Sequence, residues 1–263
     1  RIAFRAGVNR RRSDCDIAIG LAGIIRRGAR RRAGSGLETR YWGGGRRPFV
    51  ITDRHTIGAQ ENEHLMKSHE RLLLENRAWA EETRQRDPGY FERLAADQRP
   101  KILWIGCSDS RVPADIIVNA EPGEIFAHRN IANQVVATDF NCLSVVQYAV
   151  QVLKVEHVIV CGHYNCGGVK ASLDRQRPEL SLLNKWLMHL KDIYRMHRDE
   201  VDRLESMTER TNRLVELNVI EQVRRLSHMS IIQTAWKNDQ SPMLHGWVYA
   251  LDDGILQQLV TLP

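Results

Sequence analysis

The chain has 263 residues, a formal net charge of +6, 43% hydrophobic residues and 27% charged residues, the balance of a water-soluble globular protein. Its length suits one sizeable α/β domain with appendages, and no apolar run approaches the roughly 18 residues a membrane span needs, so no membrane-crossing segment is expected. The charge is uneven: residues 1–54 hold fourteen Arg, no Lys and four acids, net +10, while the remainder carries 24 basic and 28 acidic residues, net −4. Any attraction to an acidic partner therefore belongs to the N-terminal segment alone.

In chain order, residues 1–60 contain the clusters Arg10-Arg11-Arg12, Arg26-Arg27 and Arg30-Arg31-Arg32 with little apolar periodicity. Such a segment buries too little surface to offset its ordering entropy and is expected to be disordered. Three readings stay open for it: a mobile tail without a site, an organelle transit peptide, or a nucleic-acid-binding arm. The address of the protein is accordingly cytoplasmic, or the mitochondrial matrix if the segment is a transit peptide; a nucleic-acid partner is not expected. Residues 61–263 read as one folded domain. Leu65, Leu72, Leu73, Trp79 and Ala80 recur at helical spacing, and Asp87-Pro88-Gly89 closes that helix. Strand-like runs follow at Ile102 to Ile105, Ile125 to His128 and His157 to Cys161, with a helix over Asn141 to Leu153 between the second and third. Helices over Leu182 to His197 and Thr208 to Leu226 and a last strand over Leu244 to Ala250 complete the pattern, with no further helix to cover that sheet edge. Strands alternating with helices predict a central, mostly parallel sheet flanked by helices.

Five cysteines, without an even framework or a secretory signal, point to thiols that serve as ligands or packing groups. Active sites of such folds sit at the carboxyl ends of parallel strands, and two of these ends carry metal-ligand residue types. "CSDSR" places Cys107 after the first strand, with Asp109 and Arg111 at alternate positions; "CGHYNCGG" places His163 and Cys166 after the third. If the two strands are neighbours, these residues form a Cys₂His set, the ligand count of a catalytic zinc with a fourth position open. Gly162, Gly167 and Gly168 allow the bends that turn both donors inward. Asp109 and Arg111 point the same way in an extended loop and can pair bidentately. Paired, the carboxylate stays ionised and orients a zinc-bound water; released, it is a hard oxygen ligand able to close the fourth position. Cys15, Cys142 and Cys161 are read as bystanders or packing groups.

The two motifs, with "PGEIFAHRNIAN" between them, resemble the β-class carbonic anhydrases from about Glu75 to Leu256. The resemblance implies a sheet-centred oligomer, homodimer or homotetramer, with its active site at a subunit interface, and reversible hydration of carbon dioxide to bicarbonate and a proton through zinc-bound hydroxide. It assigns Cys107, His163 and Cys166 as zinc ligands, Asp109 and Arg111 as the catalytic dyad, and Asp109 as the closing ligand. It also suggests Gln98 and the Gly167 backbone as donors to bicarbonate, with Phe126, Ile131 and Tyr148 as an apolar wall. A bicarbonate-regulated, type II subgroup is marked by a Trp, an Arg and a Tyr that fall here at Trp104, Arg129 and Tyr249, with Gly106 beside Trp104. The family usually continues past the last strand as a helical tail, whereas this chain stops at Pro263. Hydrolysis of another small heterocumulene and a non-enzymatic zinc-stabilised binding module remain as alternatives.

Overall fold

The computed structural model describes residues 68–240 and 242–263. The Arg-rich segment, with the expectations of disorder, targeting and nucleic-acid binding placed on it, lies outside the described residues, as does Leu65.

Among the described residues two helices come first, α1 (Ser68–Arg86) and α2 (Tyr90–Ala96), followed by β1 (Ile102–Cys107), the one-turn α3 (Ala114–Ile117) and β2 (Ile125–Asn130). A short 3₁₀ turn (Ile131–Asn133) leads to α4 (Phe140–Gln147), a π-helical turn (Tyr148–Leu153) and β3 (His157–His163). Helices α5 (Gly167–Leu173), α6 (Ser181–Trp186), α7 (Met188–Met196), α8 (Arg198–Asp202), α9 (Met207–Ser227) and α10 (Ser230–Lys237) precede β4 (Met243–Tyr249) and β5 (Leu256–Leu262). The helix expected over Asn141 to Leu153 is thus α-helical only to Gln147 and ends at Lys154, whose φ of 57° is left-handed. The one expected over Leu182 to His197 is two helices that meet at Leu187.

The sheet order is β2-β1-β3-β4-β5. The first four strands are parallel and β5 is antiparallel to β4. The edge expected to be bare is therefore closed by a strand rather than a helix. From β1 the chain passes to one side to make β2 and returns to the other to make β3, so the reversal of direction opens a crevice at the carboxyl ends of β1 and β3. Right-handed crossovers place connections that run in opposite directions on opposite faces of the sheet. The long β2–β3 and β3–β4 connections share one face, where Leu103, Ile105, Val158, Val160 and Leu244 pack with Val146, Val223 and Leu226. The short β1–β2 connection covers the other, where Trp104, Ile159 and Cys161 pack with Ala114, Trp247 and Tyr249. Strand alternation in β1 makes this division: Leu103, Ile105 and Cys107 face one way, Trp104 and Gly106 the other.

Helix α9 is the largest cover of the first face. It starts in a capping box, the Ser206 hydroxyl accepting from the Glu209 amide at 3.1 Å while Glu209 accepts from the Ser206 amide at 2.8 Å. It can lie close to β4 because Gly246 has no Cβ: one placed there would stand 2.7 Å from Val260 Cγ1, 2.9 Å from Val219 Cγ1 and 3.2 Å from Val223 Cγ2. Gly246→Ala is expected to overpack this contact and cost about 2 kcal/mol, read as a lower urea midpoint at unchanged slope. Helix α1 differs from the rest. Thr83 is its sole buried residue, while Leu72, Leu73 and Trp79 remain exposed, although Trp79 meets Phe91 edge-on at 5.6 Å between ring centroids.

Candidate metal centre

The crevice between β1 and β3 holds a cluster of donors. Gly106 pairs with Cys161 across the two strands, which puts Cys107 at the end of one strand level with the approach to His163 on the other. Beyond His163 the chain turns through Asn165, at φ 55°, and re-enters at Cys166, which precedes the first residue of α5. The ligand-type atoms of Cys107, His163 and Cys166 all lie within 4.8 Å of one another, and all three residues are buried. The two sulfur atoms are 3.9 Å apart. Two thiolates bound tetrahedrally at 2.3 Å from one zinc would be about 3.8 Å apart, so the pair fits that geometry.

The histidine is oriented for the same purpose. Its Nδ1 lies 3.0 Å from the Tyr164 carbonyl oxygen; a carbonyl only accepts, so Nδ1 carries the proton and Nε2 presents its lone pair. Nε2 is buried and has no protein hydrogen-bond partner. A buried nitrogen lone pair without a partner is costly, and a cation between it and the sulfurs would satisfy it. The Cys107 thiol is pulled down, first by the hydrogen bond from Cys166 and, against burial, also by neighbouring backbone amides. Its partner Cys166 is pushed up, because it keeps the proton it shares with Cys107. The donor set thus consists of two sulfurs and an imidazole nitrogen, which suits zinc and the metals that resemble it. Cys142 and Cys161 are buried and free, and burial raises both thiols, in keeping with packing groups; Cys15 lies outside the described residues.

Beside the donors, Arg111 grips Asp109 at both carboxylate oxygens. Its Nε and backbone N donate to Oδ1 at 3.0 Å each, and its Nη2 donates to Oδ2 at 2.7 Å. That guanidinium, more than anything else nearby, holds Asp109 far below the usual carboxylate range. The same Oδ2 stands 3.7 Å from His163 Nε2, so the carboxylate faces the donors while paired. The loop that carries it is tied to β2: Arg129 donates from Nε to the Cys107 carbonyl at 2.9 Å and from Nη2 to the Asp109 carbonyl at 2.5 Å.

The remaining expected site residues divide. Ile131 and Gly167 adjoin the donors: a Cβ on Gly168 would stand 2.7 Å from Ile131 Cγ2, and nothing lies within 4 Å of one on Gly167. Gln98, Phe126 and Tyr148 lie elsewhere in this chain. Phe126 pairs with Leu103, four residues before Cys107, about 13 Å along the strand, and stacks against Tyr148 with ring centroids 5.8 Å apart. Gln98 precedes β1 altogether and is exposed. Trp104, Gly106, Arg129 and Tyr249 share the second face of the sheet, with Trp104 and Tyr249 in one packed cluster and Arg129 level with Gly106. A Cβ on Gly106 would strike Trp104 Nε1 at 2.7 Å. Trp247, which spacing did not single out, belongs to this cluster, meets Trp104 edge-on at 6.0 Å, and has a buried Nε1 without a partner.

A doubly wound sheet with two thiols and one imidazole at its switch point defines a protein of the α/β class with a three-donor cluster that could hold a metal ion. The model of the carbonic anhydrase family matches residues 102–256. A carbonic anhydrase of Emericella nidulans is 48% identical over 196 residues, which is 74% of this chain and 85% of that protein. One from Saccharomyces cerevisiae is 33% identical over 72% of this chain and 88% of its own length. Among solved structures, a tetrameric β-carbonic anhydrase of Sordaria macrospora superposes with a TM-score of 0.72 at 37% identity, covering 74% of this chain and 99% of that one. The chain belongs to the β-carbonic anhydrase family of enzymes.

Proposed function

We propose that the chain is a zinc-dependent carbonate dehydratase, interconverting carbon dioxide and bicarbonate. The observation that carries this reading is the orphaned His163 Nε2, aimed at two sulfurs 3.9 Å apart, with an ionised carboxylate 3.7 Å away. Cys107, His163 and Cys166 would hold the zinc, whose Lewis acidity makes water a nucleophile near neutral pH. Asp109, kept ionised by Arg111, can only accept hydrogen bonds. It therefore takes one from the attacking water and turns a lone pair toward the carbon of the substrate. The Gly167 amide, at the mouth of the crevice, donates to the bicarbonate that forms, and Ile131 keeps the nonpolar substrate against an apolar wall. Gln98, Phe126 and Tyr148 would come to the pocket from a second copy of the chain, in a homodimer or homotetramer whose site lies at an interface.

The test is stopped-flow hydration of carbon dioxide with zinc content measured on the same sample. Turnover that scales with zinc supports the reading; fully loaded protein that is inactive from neutral to alkaline pH rejects it. Carbon disulfide offered to the same sample separates the sister chemistry on another heterocumulene, for which the donors would be identical. A structural zinc module would need a fourth fixed protein ligand, and the expected Asp109 is engaged by Arg111 instead.

We further propose type II regulation, with bicarbonate held against Arg129 and near Trp104 and Tyr249. What supports it is that Arg129 already holds the carbonyls of Cys107 and Asp109, so an anion that draws the guanidinium away loosens the dyad loop and favours release of Asp109 toward the metal. Trp104→Phe and Tyr249→Phe are expected to relieve bicarbonate inhibition several-fold; unaltered inhibition in both removes this reading. The compartment, cytoplasm or mitochondrial matrix, stays tied to residues 1–60.

A further inference from the structure

Helix α9 carries two amides on its buried stripe. Asn218 and Gln222 are one turn apart among Val215, Val219 and Val223, and both are fully buried. Burying amides costs free energy unless every group is bonded, and here they are. Asn218 Nδ2 donates to the Ala132 carbonyl at 3.0 Å, Gln222 Nε2 donates to Asn218 Oδ1 at 2.7 Å, and Gln222 Oε1 accepts from the Val135 amide at 2.8 Å. The bonds close on the turn after β2, where Ala132 and Asn133 are left-handed at φ 64° and 45°. Alanine has no side chain with which to stabilise that conformation and pays for its Cβ, so the turn depends on bonds from outside. The turn also seats Ala132 between two sets of neighbours: its carbonyl goes to Asn218, while its side chain packs in one buried cluster with Cys107 and Cys166. A Cβ on Gly168, beside the second sulfur, would lie 3.4 Å from the Ala132 Cβ, so the turn also packs against the other ligand loop.

We propose that Asn218 and Gln222 are positioning residues for the metal centre, holding the left-handed turn so that Ala132 stays packed against the loops that carry Cys107 and Cys166. The inference rests on the reading of Cys107 as a zinc ligand. Neither amide touches substrate or metal; each acts through the turn, as outer hydrogen-bond partners of metal ligands do.

The experiment uses the full chain with zinc bound and compares Asn218→Leu and Gln222→Met, both close in volume to the native residue, with Leu226→Ala. Leu226 is buried on the same helix but packs in the apolar cluster of the first sheet face. Zinc release to a chromogenic chelator is expected to be about tenfold faster in the two amide variants and unchanged in Leu226→Ala, even where the latter melts at lower temperature. In cobalt-substituted protein, the sulfur-to-cobalt charge-transfer band is expected to move in Asn218→Leu and not in Leu226→Ala. Release rates and cobalt spectra at the wild-type values in both amide variants would overturn the proposal, as would a Leu226→Ala protein that loses zinc equally fast. Wild-type protein that takes up no zinc would instead reject the metal reading beneath it. If Asn218→Leu does not fold, Gln222→Met, which leaves the Asn218 bond to Ala132 in place, carries the same comparison.

Discussion

Cys107→Ala is expected to leave the sheet intact while weakening zinc on the order of a hundred-fold or more and abolishing measurable carbon dioxide hydration. The size follows from sharing: apparent zinc binding free energies of about 10–16 kcal/mol in structural sites are spread over four ligands, so one thiolate accounts for about 3 kcal/mol. Little in the fold opposes the change. The side chain removed is small, and the strand around it keeps its ladder to both neighbours through Gly106. Metal analysis after dialysis against a weak chelator, with circular dichroism on the same sample, checks both halves. A variant that retains a full equivalent of zinc and its turnover would show that the cluster is not the metal site.

Arg111→Ala is expected to lower kcat by about 10²–10³, within the range for losing a positioned acid or base, while zinc content stays at one equivalent. The physical cause is the freedom given to Asp109. With the two side-chain bonds at 3.0 and 2.7 Å gone, a carboxylate already 3.7 Å from His163 Nε2 is free to become the fourth ligand and exclude water. A crystal structure of the variant should place an Asp109 oxygen about 2.0–2.2 Å from zinc. Asp109→Asn should lose activity as well, since an amide is not held as an anion-like acceptor by the guanidinium. The double variant should be no worse than the poorer single one, because the two residues act as a unit. Retention of more than half of kcat in Arg111→Ala would refute the role given to the pair.

Much of this was legible beforehand, for identifiable reasons. Buried parallel strands read as continuous apolar runs, so Ile102 to Ile105 and His157 to Cys161 stand out, and these and the half-buried edge run Ile125 to His128 appear in the structure with each strand extended by two residues. The donors were legible because Cys107, His163 and Cys166 are rare residue types placed at strand ends. What was missed lacked such contrast. Helix α5 begins at Gly167-Gly168, which reads as loop because glycine is the poorest ordinary helix former. Strand β5 is half exposed at a sheet edge, and its pattern of Leu, Gln and Thr gives no clear alternation. Helix α2 is only 7 residues long, below the length at which periodicity can be judged. Asn218 and Gln222 had a visible signal, two amides on the apolar stripe of a predicted helix, but their partners, the backbone groups of Ala132 and Val135, have no signature in residue type. Phe126 and Tyr148 were assigned by resemblance, and a single copy of the chain separates them from the donors they were meant to face.

The two sulfurs that approach to 3.9 Å are 59 positions apart along the chain. Closing so wide a loop carries an entropic toll of several kcal/mol, repaid only when β3 docks beside β1. Before that docking, a newly made polypeptide could offer an ion only the local pair His163 and Cys166. An ion held by all three donors would therefore act as a clasp on the very seam whose formation created its berth.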